Sequence, residues 1–175
     1  VRGSDPDAAV YWLARMIEGG EEVKFIARRL IILAAEDIGL ANPNALLIAN
    51  NCFQAVHVIG LPESRIILSE TTIYLASSPK SNSAYEAINK AQDAVRKTGN
   101  LRVPLHLRNA PTKLMKDLNY GKDYKYAHAY DKNFVEENYF PDALTDTIFF
   151  NPGKNPRENE ILERLKKLWK KRYKS

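Results

Sequence analysis

Apolar residues recur at helical spacing through the first hundred positions of this chain. Val10, Leu13 and Ile17 lie three and four apart, and Trp12 and Met16 widen the stripe. Ser4-Asp5-Pro6-Asp7 precedes them. Ser4 or Asp5 can cap, Pro6 suits a first turn, and Asp7 favours the positive end of the helix dipole. Gly19-Gly20 ends this helix. A second is predicted from about Glu21 to Asp37, with Val23, Ile26, Leu30 and Leu33 on one face and a stop at Gly39. Asn42-Pro43 reads as the cap and first turn of a third, reaching Gly60. Pro62-Glu63 opens a fourth that runs to about Ser77, and the turn-forming string 78–82 (SPKSN) breaks the chain. A fifth runs from about Ser83 to Lys97 and stops at Thr98-Gly99-Asn100. Short connections between successive helices predict antiparallel neighbours in an all-α bundle.

From Leu101 to Gly153 the pattern changes. The segment is rich in Pro, Asn and Tyr and contains one short helical signal at Thr112–Leu118. The string 146–151 (DTIFFN) is a candidate for a short extended piece. An irregular segment of this length inside a compact domain is uncommon and often functional. A last helix is predicted from Asn155 to about Tyr173, with Ile161, Leu162, Leu165, Leu168 and Trp169 as its apolar stripe. The expected organisation is a helical bundle over 1–100, and the irregular segment plus terminal helix over 101–175, packed as one compact unit.

An apolar fraction of 45% and a charged fraction of 27% match a soluble globular chain long enough to bury a core. No apolar run approaches the roughly 20 residues of a membrane span, and IILAA at 31–35 is followed at once by Glu36-Asp37. The start, VRGSDPDAAV, has no basic stretch followed by an apolar one, so it does not read as a signal peptide. Val1 in place of an initiating methionine reads as a cut inside a longer polypeptide. A single cysteine, Cys52, excludes an internal disulfide and a thiolate metal cage, and its Ala/Asn/Phe context predicts a small core residue in a cytosolic protein. His57, His106 and His128 lack metal-ligand spacing, and His57, between Val56 and Val58, is expected to pack in its helix. Charge is uneven. Residues 154–175 hold nine Lys/Arg against three Glu, a net of +6 out of +5 for the whole chain, so the remainder sums to −1.

Motifs for catalysis are missing. Gly121-Lys122 and Gly153-Lys154 lack the upstream glycine and following Ser/Thr of a phosphate loop, and no GxGxxG, GxSxG or HExxH string occurs. Glu21-Glu22 and Glu36-Asp37 are adjacent carboxylates, which on a helix point about 100° apart and form no obvious acid–base pair. A hydrolase built on His106 with Asp123 or Asp131 would need a nucleophile beside a base, and none is placed there.

Three features point to interaction instead. Arg29 and Glu36 are seven apart, which puts them on one helix face with Arg28 and Asp37 nearby. Such a face can pair with a copy of itself across a two-fold axis or pair within the chain. Lys166, Lys167, Lys170, Lys171, Arg172 and Lys174 surround Trp169 and Tyr173, a cluster able to neutralise phosphates and stack on bases, or simply the basic end of a terminal helix. The stretch His106–His128 combines Arg108, Lys113, Lys116, Lys122 and Lys125 with Tyr120, Tyr124 and Tyr126, followed by Tyr130. It is either a loop fastened by its tyrosines or an interaction surface.

Several long strings resemble the C-terminal region of the replication-associated recombination protein A family (RarA, also called MgsA). These are AAA+ ATPases akin to clamp loaders, with relatives among the Werner helicase-interacting proteins. The strings are RGSDPDAAVYWLARMIEGGE at 2–21, FIARRLIILAAEDIGLANPNAL at 25–46, SSPKSNSAY at 77–85, VPLHLRNAPTKLMKDLNYGKDYKYAH at 103–128, YFPDAL at 139–144 and FNPGKNPRENEILERLKKL at 150–168. Ala35 departs from the Ser expected before Glu-Asp, Asn119 from the usual Gly, and Ala129 from the common Asp.

The resemblance implies an all-helical, collar-like domain that assembles subunits into a homotetramer and carries no catalysis of its own. ATP and Mg would belong to an upstream ATPase domain. The parent would be a bacterial, cytoplasmic, DNA-dependent ATPase, nucleoid-associated, that acts at replication forks and in recombination and repair with DNA and single-strand-binding protein as partners and no membrane. On this view the subunit interface draws on Arg28, Arg29, Glu36, Asp37, His106, Arg108, Asn109, Tyr120, Tyr124 and Tyr126. The alternative is a DNA-binding module that uses Lys166, Lys167, Lys170, Lys171, Arg172 and the loop lysines.

Overall fold

A computed structural model describes residues 1–173, so Lys174 of the basic tail lies outside the described residues. Among them the chain forms α-helices and single turns of 3-10 or π-helix, with no strand. The α-helices are α1 (Pro6–Glu18), α2 (Val23–Leu33), α3 (Asn44–Ile59), α4 (Ser64–Ser77), α5 (Ser83–Thr98), α6 (Lys113–Asp117) and α7 (Pro156–Leu168). The all-α expectation holds. Compact packing divides the chain into two units: Val1–Asn89 with Phe150–Ile161, and Lys90–Phe149 with Leu162–Ser175.

The first unit is the helical body. Asp5 caps α1 by accepting from the Ala8 amide at 2.9 Å, with Pro6 at the first helical position. α1 packs on α4, α2 on α3 and α4, and α3 on α4. Their shared core contains Leu13, Ile26, Ala27, Leu30, Ala34, Ile38, Ala45, Ala49, Cys52, Val56, Leu68 and Leu75. Cys52 is a buried free thiol, as its context predicts, and burial pushes its pKa up.

Several details of the body and of segment 146–151 differ from the sequence reading. α2 does not continue as α-helix to Asp37; it widens into a π turn at Ala34–Ile38. That turn keeps Ala34 and Ile38 in the core but rotates the residues between them out of α-helical register. Glu36 and Asp37 fall within this π turn, where both lie in ion-pair reach of Arg2. Asn42 does not cap α3 with its side chain. Its amide donates instead to the Tyr74 hydroxyl at 2.9 Å and to Ser78 Oγ at 3.2 Å. His57 is exposed, not packed. The segment 146–151 forms no strand.

The second unit is built by turns around aromatic rings. Thr112 caps α6 through the Met115 amide, and the Gly121 amide donates to the Leu105 carbonyl at 2.8 Å. Asn119 adopts φ +61°, so the residue standing in place of Gly keeps the left-handed conformation that Asn tolerates better than most side chains. α7 stops at Leu168, short of Tyr173. Trp169 meets Phe134 and Tyr139 edge-on, with ring centres 5.2 and 6.1 Å apart, and Arg172 stacks over Trp169 and Phe140 at 4.5 and 5.2 Å. These contacts hold Trp169 and Arg172 in a turn and end the helix.

Candidate functional site

A web of polar groups closes one end of the helical body. Arg2 forks onto Asp37, with Nε 2.8 Å from Oδ1 and Nη2 3.0 Å from Oδ2, and lies 3.7 Å from Glu36. The Asp37 carbonyl accepts from the Ser81 amide at 2.8 Å. Ser81 Oγ and Ser83 Oγ share a hydrogen bond at 3.1 Å, and Ser83 Oγ donates to Glu158 Oε1. Glu158 is fully buried. It also accepts from the Gly153 amide at 3.0 Å and from the Asn155 amide group, while its own N–H donates to Asn155 Oδ1 at 3.0 Å. Burial pushes the Glu158 pKa up, but the hydrogen bonds from Ser81, Ser83, Gly153 and Asn155 outweigh it and hold the carboxyl below its ordinary value. A Cβ on Gly153 would sit 2.9 Å from Glu158 Oε2, so this approach needs glycine.

Beside this web the Lys80 ammonium donates to the carbonyls of Leu75, Ala76 and Ser78 at 3.1, 3.1 and 2.6 Å. It satisfies the C-terminal end of α4, where carbonyls lack helical partners. Burial lowers its pKa, and Asp37 opposes that shift. Sequence reasoning missed Lys80, Ser83 and Glu158. The pattern Asn155-x-x-Glu158 at the start of α7 is a capping-box signal that marks Glu158 as more than a solvated charge.

The residues expected at an interface fall in both units. Glu36 and Asp37 turn to Arg2, and Arg28 pairs with Glu22 at 3.5 Å. Among the described residues Arg29 has no ion-pair partner. It edges an apolar slot of about 370 Å³ lined by Trp12, Leu13, Met16, Ile26 and Leu30, with the buried, unpartnered Thr72 hydroxyl in its wall. In the second unit Arg108 donates to the Val103 carbonyl at 2.7 Å and lies over the Tyr120 ring at 4.9 Å. Tyr120 thus fastens its loop, whereas Tyr124, Tyr126 and Tyr130 expose about half of their surface (54%, 61% and 44%). Asn109 is exposed, and the half-buried His106 keeps Nε2 out of water without a hydrogen-bond partner. Asp123 and Asp131 are both exposed.

The tail is split in its orientation. Lys167, Lys170 and Lys171 are exposed, and Lys166 pairs with Glu163 at 3.2 Å. Arg172 turns inward, stacking on the aromatic rings and donating to the Thr145 carbonyl at 3.5 Å. It lines a cleft of about 390 Å³ together with Glu136, Glu137, Asp146, Trp169 and Lys171. No group of His, Cys, Asp and Glu able to hold a metal ion occurs among the described residues, and none of their helices is long and apolar enough to cross a membrane.

Comparison with known proteins decides the family. Residues 3–169 match the profile of the family described as MgsA AAA+ ATPase C terminal. The chain belongs to the MgsA C-terminal family. A Thermotoga maritima relative, named only as an uncharacterized protein, is 49% identical over 173 residues, covering 99% of this chain and 28% of the relative. The replication-associated recombination protein A of Coxiella burnetii is 44% identical over 166 residues, covering 94% and 38%. The ATPase WRNIP1 of Dictyostelium discoideum is 44% identical over 151 residues, covering 86% and 17%. The chain thus spans well under half the length of each of these relatives. The match runs through both units, so the polar web and the aromatic unit lie within one family domain.

Proposed function

We propose that this domain is the oligomerisation module, most simply a homotetramer, of a RarA-type AAA+ ATPase that works in replication-fork maintenance, recombination and repair. ATP and Mg would be bound by the ATPase domain of such a parent, in the cytoplasm, with the domain itself contributing assembly and no catalysis. DNA and single-strand-binding protein would be partners of the assembled parent. The observation that carries the reading is the apolar surface left on the helical body. Trp12, Phe25, Ile32, Leu47, Val58 and Ile66 each remain between 39% and 82% exposed. Large apolar side chains left at the surface of four successive helices are candidates for burial against another subunit.

Light scattering coupled to size exclusion tests this across a concentration range. A mass near four times 19.9 kDa supports it. A monomer at tens of micromolar overturns it.

A second reading rests on Lys167, Lys170 and Lys171, which are exposed. On it, the domain also contacts DNA through its tail and the exposed tyrosine loop. Binding of this kind weakens steeply as salt rises. A salt-insensitive or absent interaction with single-stranded DNA would rule it out.

A further inference from the structure

Helix α3 buries one face and leaves an uncharged one at the surface. Ala45, Ala49, Cys52 and Val56, spaced four, three and four apart, are buried against α2 and α4. Leu47, Asn51, Gln54 and Val58 repeat the same spacing on the opposite side, and all four are exposed. Leu47 is 64% and Val58 82% exposed, the latter the highest among the large apolar side chains. Apolar side chains thus stand at both ends of this outer face, with amides between them.

The composition of this face is as informative as its exposure. Between Asp37 and Glu63 the chain carries no Asp, Glu, Lys or Arg. Solvated helix faces ordinarily carry charge, as α5 and α7 do. Charged residues are depleted from the centre of protein–protein contacts. A face with no charge offers no ion pair to an oppositely charged partner, and it suits another face of its own kind.

We infer that the outer face of α3 pairs antiparallel with α3 of a second copy across a two-fold axis. The inference rests on the oligomerisation reading and assigns it a surface. The sequence of the face is symmetric in the required way. Leu47 and Val58 lie equally far on either side of the midpoint between Cys52 and Phe53, and so do Asn51 and Gln54. An antiparallel two-fold pairing centred there sets Leu47 against Val58 of the second copy. It also sets Asn51 against Gln54 of that copy, where the two amides can exchange hydrogen bonds. Apolar pairs at both ends with amides between them form an isologous contact, each patch matching itself. The central amides also fix the register, since sliding by one turn would leave them facing apolar groups.

The test is disulfide trapping with chains of Leu47→Cys and Val58→Cys. Within one helix the two positions are about 16 Å apart, at a rise of 1.5 Å per residue. Two Leu47→Cys chains thus cannot bridge to each other in this pairing, since a disulfide needs Cα atoms within about 7 Å. Cross-linked dimer is expected on mild oxidation of the mixture and not of either variant alone. In parallel, Leu47→Glu/Val58→Glu is expected to halve the mass seen by light scattering, or reduce it further, with the circular dichroism unchanged. If the unaltered chain is oligomeric, the mixture fails to cross-link and the double variant keeps its mass, then the α3 pairing is wrong and assembly uses another surface. If the unaltered chain is monomeric, the pairing and the oligomerisation reading fall together.

Discussion

Ser83 and Glu158 lie 75 positions apart and meet in a hydrogen bond that is closed to water. The carboxylate gathers donors from the first residue of α5 and from the loop before α7, so two distant parts of the chain share one acceptor.

Replacing that acceptor should therefore be costly at neutral pH. Glu158→Gln keeps the shape but sets an amide donor among groups that are already donors. A loss of roughly 1–3 kcal/mol is expected in urea unfolding. The pH dependence has a fixed sign. The folded carboxyl titrates below its ordinary value of 4.5, so the unfolded chain binds more protons in that window and stability rises with pH there. The stabilisation is fully present above the ordinary value and is lost as pH falls through the folded one. The gap between native and Glu158→Gln chains should narrow over that fall.

Lys80 makes a different prediction. Its three carbonyl acceptors converge on a single point that an ammonium fills. Lys80→Met should lower stability by about 1–3 kcal/mol by stranding those carbonyls. Lys80→Arg should not restore it, because a planar fork does not match three converging acceptors. Thermal unfolding of the two variants is the check.

Asp5 caps α1 with its side chain. Asp5→Ala should cost about 1 kcal/mol, and Asp5→Asn only a fraction of that, in the same unfolding assay.

In the tail, Lys167, Lys170 and Lys171 should act differently from Arg172. Changing the three lysines to Glu should reduce affinity for single-stranded DNA and flatten its salt dependence, as read by fluorescence anisotropy. Arg172→Ala should leave that affinity in place. It should instead destabilise the fold by about 0.5–2 kcal/mol, because its guanidinium stacks on Trp169 and Phe140.

The helices of the body were readable because burial on one side of a helix leaves a period in the sequence. Val10, Leu13 and Ile17 show it, and so does the cap at Asp5. What was not readable depends on partners distant in sequence. Asn42 precedes a helix as a cap would, but Tyr74 and Ser78 take its amide. The π turn at Ala34–Ile38 has no local signature, since it arises where Ile38 must reach the core. Trp169 fits the apolar stripe of α7, yet rings at Phe134 and Tyr139 draw it into a turn. The pattern Asn155-x-x-Glu158 marks a helix cap, but nothing local reveals that Ser83 waits for the same carboxylate. Glu36 and Asp37 are likewise engaged by Arg2, far from them in sequence.

The first unit is discontinuous, with the whole of Lys90–Phe149 inserted before its final stretch, Phe150–Ile161. A chain is made from its N-terminus, so the helices of the body emerge from the ribosome long before the residues that complete them. Until Gly153 and Glu158 follow, the hydroxyls of Ser81 and Ser83 have no carboxylate to meet and the body remains open at that end. Any surface for self-association on it is thus displayed on nascent chains that are still unfinished, and neighbouring chains on one message can meet there before either has closed.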